Sequence, residues 1–101
     1  MSFSASAQNF WLEDGHILVA TVADEEGNWN DSRLELNDFI GNEDGWFVWD
    51  AVNYADSARD IRLEGTLLTA DLPKRDGGYR ERQGIQLDDR IANINGRLVF
   101  N

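Results

Sequence analysis

The chain has 101 residues, 19 acidic side chains against 9 basic ones, a formal net charge of −10, 42% hydrophobic residues and no cysteine. That balance describes one small, acidic, soluble domain with enough apolar surface for a single core, and it excludes disulfides, thiolate metal sites and cysteine nucleophiles. No uninterrupted apolar run is longer than Ile17 to Ala20, far short of the roughly 20 residues a membrane-spanning helix needs, and the scattered Lys and Arg make no basic stripe for nucleic acid.

In chain order, Ile17-Leu-Val-Ala-Thr-Val22 is a short β-rich run followed by the turn residues Glu26-Gly27-Asn28, and the pattern predicts a hairpin. The Leu36 segment begins as a strand, but Asn37-Asp38 suits a cap better than a strand, so a single helical turn should follow. Asn42-Glu-Asp-Gly45 then turns the chain sharply into Trp46–Trp49. The same sequence of signals returns half a chain later. Leu67–Leu72 is the β-rich run, Pro73 sits just after it where its missing donor costs little, and Asp76-Gly77-Gly78 is the turn. Leu87-Asp88-Asp89 repeats the strand-to-cap transition, and Asn93-Ile-Asn-Gly96 leads into Arg97–Phe100.

Laid over one another, the halves share Leu36/Leu87, Asp38/Asp89, Ile40/Ile91, Asn42/Asn93, Gly45/Gly96 and Val48/Val99; upstream, Ser6-Ala7 matches Ser57-Ala58 and Leu12-Glu13 matches Leu63-Glu64. After one gap, Gly15, Leu18, Ala20 and Gly27 match Gly65, Leu68, Ala70 and Gly77. Residues 1–50 and 51–101 are thus two copies, each below the size at which a core sustains itself, and together they should complete one domain, 1–101.

Chemistry-bearing candidates are few. His16 follows a glycine in a tight turn, has no second His or Cys to share a metal, and reads as a surface residue. No carboxylate pair is singled out as acid and base, so no catalytic residue is expected. Asp24–Asp31 has its glycine at the wrong place for a calcium loop and reads as a hairpin tip. Asn30-Asp31-Ser32 is a glycosylation sequon that would stay unmodified without secretion. Trp11, Trp29, Trp46 and Trp49 could stack on sugars or fill a core; core filling is favoured for Phe47 and Trp49, which share one face of their strand. Lys74-Arg75 reads as a solvated hairpin. Residues 1–12 carry neither a basic segment nor an apolar run, so no signal peptide is expected and the expected location is cytoplasmic.

Leu36-Asn37, Asn42-Glu-Asp-Gly45, Trp49, Asn53-Tyr54 and above all Ile85–Leu98, with its Leu-Asp-Asp-X-Ile-Ala-Asn-Ile-X-Gly-X-Leu run from Leu87 to Leu98, resemble the cyanovirin-N homologue family of lectins over essentially the whole chain. The resemblance implies an elongated, pseudo-symmetric all-β fold of two tandem repeats, each a three-stranded antiparallel sheet plus a β-hairpin, with short helical turns and segments exchanged between the halves. It also implies binding to Manα1-2Man termini of high-mannose glycans or glycoproteins, with no metal or other cofactor and no catalysis, while the acidic balance and the short apolar runs speak against a nucleic-acid or membrane partner. The central pocket it implies comprises Asn42, Asp44, Asn53, Asp56, Ser57, Lys74 and Arg75, with Gly41 where the founding lectin has a carboxylate. The terminal pocket comprises Ser2, Ser6, Asp24, Glu25, Asn93, Ile94 and Asn95, with Ala5 and Ala23 replacing polar residues, so the central pocket is expected to be the main site and the terminal one weak or absent. Apolar pairs, Ala7 with Val22 and Ala58 with Leu72, stand where the best-known member has disulfides, as in the cysteine-free fungal members. The hinge Asp50–Asn53 lacks the founding lectin's proline, so a monomer is expected, with a domain-swapped dimer as the alternative. A pocket of Asn, Asp and Ser suits vicinal hydroxyls, each both donor and acceptor. The rival reading is a module of the same fold that has lost sugar binding and serves protein interaction or storage.

Overall fold

Alternation of apolar and polar side chains gives strands with one face to bury, and the computed structural model, which describes residues 2–101, contains ten strands and no α-helix among the described residues. β1 (Ala7–Glu13), β2 (Ile17–Ala23) and β3 (Trp29–Glu35) form a three-stranded antiparallel sheet, followed by a hairpin of β4 (Ile40–Glu43) and β5 (Trp46–Trp49). The second half repeats this with β6 (Arg59–Glu64), β7 (Leu67–Asp71) and β8 (Gln83–Gln86), then the hairpin β9 (Ile91–Ile94) and β10 (Arg97–Phe100). The predicted all-β architecture is therefore present in both halves. β8 is shorter than β3 because the register slips by one residue between the Ala70–Gln83 pair and the bridge of Pro73 to Tyr79, which leaves one unpaired residue on the β8 side.

The hairpins are exchanged. β10 lies against β3, and β5 lies against β8, so each half's hairpin closes the other half's sheet. Asn93 Nδ2 donates to Ala23 O and to Ser6 Oγ, both at 2.8 Å, and Leu98 N donates to Ser32 Oγ at 3.0 Å. At the other end Asn42 Nδ2 donates to Pro73 O at 3.0 Å. The oxygens of the same two amides accept from Gly96 N at 2.9 Å and Gly45 N at 2.8 Å, so each Asn closes its own turn while gripping the opposite sheet.

Single 3-10 turns stand at Leu36–Asp38 and Leu87–Asp89, as the sequence predicts, but their caps come from elsewhere. Glu35 Oε1 accepts from Asn37 N at 3.0 Å and Gln86 Oε1 from Asp88 N at 3.4 Å, because the cap position precedes the turn by one residue. Asn37 and Asp88 serve the equivalent turns Tyr54–Asp56 and Phe3–Ser6 instead. Asn37 Oδ1 accepts from Ala55 N at 3.0 Å, and the Asp88 carboxylate accepts from Ser4 N at 3.1 Å and from the Ser4 hydroxyl.

One continuous apolar cluster runs through both halves, with Leu36 and Leu87 and the equivalent aromatics Phe3 and Tyr54 fully buried. Burying Tyr54 pushes its phenol well above the ordinary value, with the Glu35 carboxylate adding to the shift; its hydroxyl stays protonated and donates to Gly15 O at 2.6 Å. Ala7 faces Val22 across β1 and β2, and Val22 and Leu72 are fully buried, so packed side chains occupy the positions the resemblance matches to one member's disulfides. Phe47 and Trp49 pack on the core while Trp46 is exposed, the division expected from strand alternation. The result is a rod of 51 × 21 × 17 Å.

Because Asn93 holds three hydrogen bonds and Asn42 two, Asn93→Ala should destabilise more than Asn42→Ala, each by about 1–3 kcal/mol. Urea denaturation should show both as lowered midpoints with unchanged slope.

Candidate functional site

The tips of the exchanged hairpins meet the tips of the sheets they close, and each meeting makes a cleft. At the chain-terminal end the cleft holds about 510 Å³ and is lined by Asp24, Glu25, Glu26, Asn30, Asp31, Asn95, Gly96 and Arg97. Asp24 organises its wall. Its carboxylate accepts from Glu26 N and Asn28 N through Oδ1 and from Asn30 Nδ2 through Oδ2, all at 2.9 Å. The Asn30 amide and then the Asn28 N–H hold its carboxyl below the usual aspartate range. Asn95 Oδ1 accepts from Glu25 N at 2.9 Å and fixes hairpin to sheet.

The equivalent cleft at the centre of the chain holds about 320 Å³ and is lined by Trp46, Lys74, Tyr79, Arg80, Glu81 and Gln83. Its frame repeats the first one. Asp44 Oδ1 accepts from Arg75 N at 2.9 Å, as Asn95 does from Glu25 N, and that bond, followed by the charges of Arg75, Arg80 and Lys74, holds the Asp44 carboxyl low. Arg80 stands where Asn30 stands in the other half: a Cβ on Gly45 would lie 2.8 Å from Arg80 Nε, and one on Gly96 2.7 Å from Asn30 Nδ2. Both glycines also hold positive φ, +89° and +86°, so the turns require glycine twice over. The Arg80 guanidinium lies 4.0 Å from the Trp46 ring centroid and donates to Asp44 O at 2.9 Å; Arg59 covers Tyr79 at 3.5 Å, and the Tyr79 hydroxyl donates to Ser57 O at 3.3 Å.

Of the residues singled out for the central pocket, only Lys74 lines this cleft. Asn42 is spent on Pro73 and Gly45, Asp44 on the Arg75 amide, and Arg75 on an ion pair with Glu43. Asn53, Asp56 and Ser57 lie exposed on the segment beside β4, Asn53 in the left-handed region with φ 65°. Trp46, one of the tryptophans that could stack on sugars, lines it too, and Tyr79, Arg80, Glu81 and Gln83 are lining residues that sequence reasoning missed; the alignment of Asn30 with Arg80 was the available signal. At the other end Asp24, Glu25 and Asn95 line the cleft, Ser6 and Asn93 brace it, and Ser2 and Ile94 are not among its lining residues. His16 is no free surface residue, since its Nδ1 lies 2.7 Å from Glu35 Oε1. Gly41 carries more than the loss of a carboxylate. A Cβ there would lie 2.5 Å from Ala51 Cβ and 3.0 Å from Val52 N and O, because the hinge folds back onto β4 and bridges Gly41 to Asn53. A third cleft of about 520 Å³, between Trp11 and Arg62, is lined by mostly apolar side chains and offers no converging set of acceptors. Among the described residues no group of His, Asp and Glu is placed to hold a metal ion.

A sequence profile described as the CVNH domain matches residues 3–99. A cyanovirin-N homolog of Tuber borchii is 46% identical over 103 residues, covering 99% of each chain, and a solved T. borchii CVNH structure superposes with a TM-score of 0.88 at 45% identity over 100% of both chains. Microvirin, solved as a mannobiose complex, superposes at 0.86 with 29% identity over 99% of this chain and 98% of its own. A MoCVNH3 variant, solved in complex with (N-GlcNAc)4, superposes at 0.90 with 26% identity over 98% and 96%.

Gly41→Ala should cost about 1–3 kcal/mol by overpacking. Ala51→Gly should restore only part of it in thermal unfolding, because the Val52 backbone remains. The Asp24 bonds are favourable only to its charged form, so the order they give the loop is complete above the ordinary aspartate pKa of about 3.9 and is lost as pH falls through the lower folded value. The amide resonances of Glu26 and Asn28 should therefore titrate with a midpoint below about 3.9.

Proposed function

The chain belongs to the CVNH family of lectins, and on that premise we propose that it is a non-catalytic lectin binding Manα1-2Man termini of high-mannose glycans, as a cytoplasmic monomer whose 101 residues form one unit. The observation that carries this reading is the pair of clefts at equivalent hairpin tips, the terminal one walled mainly by amides and carboxylates and the central one by two aromatic rings, two cations, Glu81 and Gln83. Complexes of two relatives, microvirin with mannobiose and the MoCVNH3 variant with (N-GlcNAc)4, support a saccharide as the ligand class. The absence of cysteine supports a reducing compartment.

Within this reading the terminal cleft carries the neutral disaccharide better than the central one, which reverses the weighting suggested by Ala5 and Ala23. It is the larger of the two and is lined by four carboxylates and two amides, whereas the central one is lined by one carboxylate, one amide, two cations and two aromatic rings. Carboxylate acceptors held by backbone donors meet hydroxyls without reorganising, and an inverted or missing hydroxyl would leave one of them unpaired, at about 1–3 kcal/mol. A second reading, a module without sugar binding, is favoured by the commitment of Asn42, Asp44 and Arg75 to bonds within the protein.

Titration of isotopically labelled protein with Manα1-2Man should shift the amides of residues 24–31 and 95–97 first, and Asn30→Ala should weaken that binding by about tenfold, the effect of one lost polar contact. Absence of shifts at millimolar disaccharide would put the interaction module first.

A further inference from the structure

The two clefts share a frame and differ in charge. Hairpin-to-sheet bonds, turn conformation and the close approach over Gly45 and Gly96 are equivalent, yet the terminal cleft is lined by four carboxylates and one guanidinium, and the central cleft by two cations and one carboxylate. At matching places Lys74 replaces Asp24, Arg75 replaces Glu25 and Arg80 replaces Asn30, in a chain whose net charge is −10. A cationic cleft is not what such a composition produces by default.

Two of these cations have capacity left. Lys74 Nζ has its nearest carboxylate, Asp76 Oδ2, only at 3.9 Å. Arg80 spends Nη2 on Asp44 O and lies on the Trp46 ring, its Nε is buried beside Gly45, and its Nη1 makes no hydrogen bond among the described residues, which leaves that N–H pair for an anion. Arg75, paired with Glu43, is already neutralised. The exposed faces of Trp46 and Tyr79 border the same opening, so an apolar sugar face and a negative group can be met together.

We infer that the clefts sort saccharides by charge, and that the central cleft takes an anionic hexose, one carrying a phosphate or carboxylate that Lys74 and Arg80 engage, while the terminal cleft rejects it. Guanidinium and ammonium groups bind such oxyanions with charge-assisted bonds, and the four carboxylates of the terminal cleft repel them. The inference rests on reading the clefts as glycan sites and assigns the central one its ligand class.

Labelled protein would be titrated at low salt with mannose, mannose 6-phosphate and inorganic phosphate. Mannose 6-phosphate should shift residues 44–46 and 74–83 but not 24–31, and should bind about fivefold more tightly than mannose, the scale of one partly solvated charge contact. The gain should fade as added salt shortens the Debye length, and should vanish in Lys74→Gln, which keeps the Cγ that packs against Gly45 and should leave the spectrum otherwise unchanged. Equal binding of the two sugars, equal shifts at both clefts, or inorganic phosphate matching mannose 6-phosphate would overturn the inference. Manα1-2Man in a parallel titration separates the failures. If it binds and the phosphate adds nothing, only the charge assignment falls. If it binds nowhere while mannose 6-phosphate still selects the central cleft, the mannobiose reading falls and the charge assignment stands.

Discussion

Two asparagine amides hold this molecule together in the arrangement that makes its clefts. Asn42 and Asn93 each use their oxygen to close a turn and their nitrogen to reach a backbone carbonyl at the end of the opposite sheet. An amide suits this because it is donor and acceptor at once in a fixed plane, whereas a carboxylate would offer only acceptors. The hairpin is thereby locked to its turn geometry and to a sheet from the other half by one side chain. The exchange of hairpins follows, since neither half closes its own sheet edge, and an open edge is what a small β protein must cover.

With the frame held by backbone atoms and these amides, the side chains around each cleft are released from structural duty unequally. In the terminal half Asp24 ties down its own loop through three bonds, and Asn30 is part of that knot. In the central half Lys74 cannot do this, and order comes instead from Asp44, from Arg80 laid on Trp46, and from Arg59 laid on Tyr79. One fold thus supports two electrostatic solutions, because the bonds that Asn42, Asp44, Asn93 and Asn95 make from hairpin to sheet meet main-chain groups that tolerate either. The absence of disulfides fits the same logic. Cross-strand packing of Ala7 with Val22 and burial of Leu72 occupy those positions, and the core that runs through both halves supplies cohesion that neither copy has alone.

The repeat made the architecture legible. Turn chemistry at Asn42–Gly45 and Asn93–Gly96, the β-rich runs and the single helical turns are local signals, and local signals survive reading from sequence. What did not survive was partnership at a distance. Asn37-Asp38 looked like a cap, but Glu35 sits at the cap position and Asn37 is needed by Ala55, a contact between segments that no spacing rule exposes. Gly41 looked like a lost acceptor, whereas its absent side chain is space taken by the folded-back hinge. The central residues were legible as polar and in register, yet whether a polar side chain faces a ligand or a backbone carbonyl depends on which segment lies opposite. In an exchanged fold that segment comes from the other half. Asn42 and Asp44 carried both meanings in the sequence, and the structure uses them for the frame.

Two unlike clefts on one rod also bear on how the protein could hold a polyvalent surface. A lectin gains avidity when a second site engages the same ligand, and the gain depends on both sites accepting what that ligand displays. Identical sites would reward any array of one terminus. Sites that differ in charge reward only arrays presenting two kinds of terminus within the reach of a 51 Å molecule, so uniform neutral glycans would be held through one cleft, weakly and reversibly. On the proposed reading of the clefts, divergence of the repeats narrows crosslinking while widening the range of sugars met. That exchange is open to this fold because Lys74, which stands for Asp24, carries no hairpin-to-sheet bond, and Arg80, which stands for Asn30, adds one to Asp44 O without displacing those made by Asn42 and Asp44.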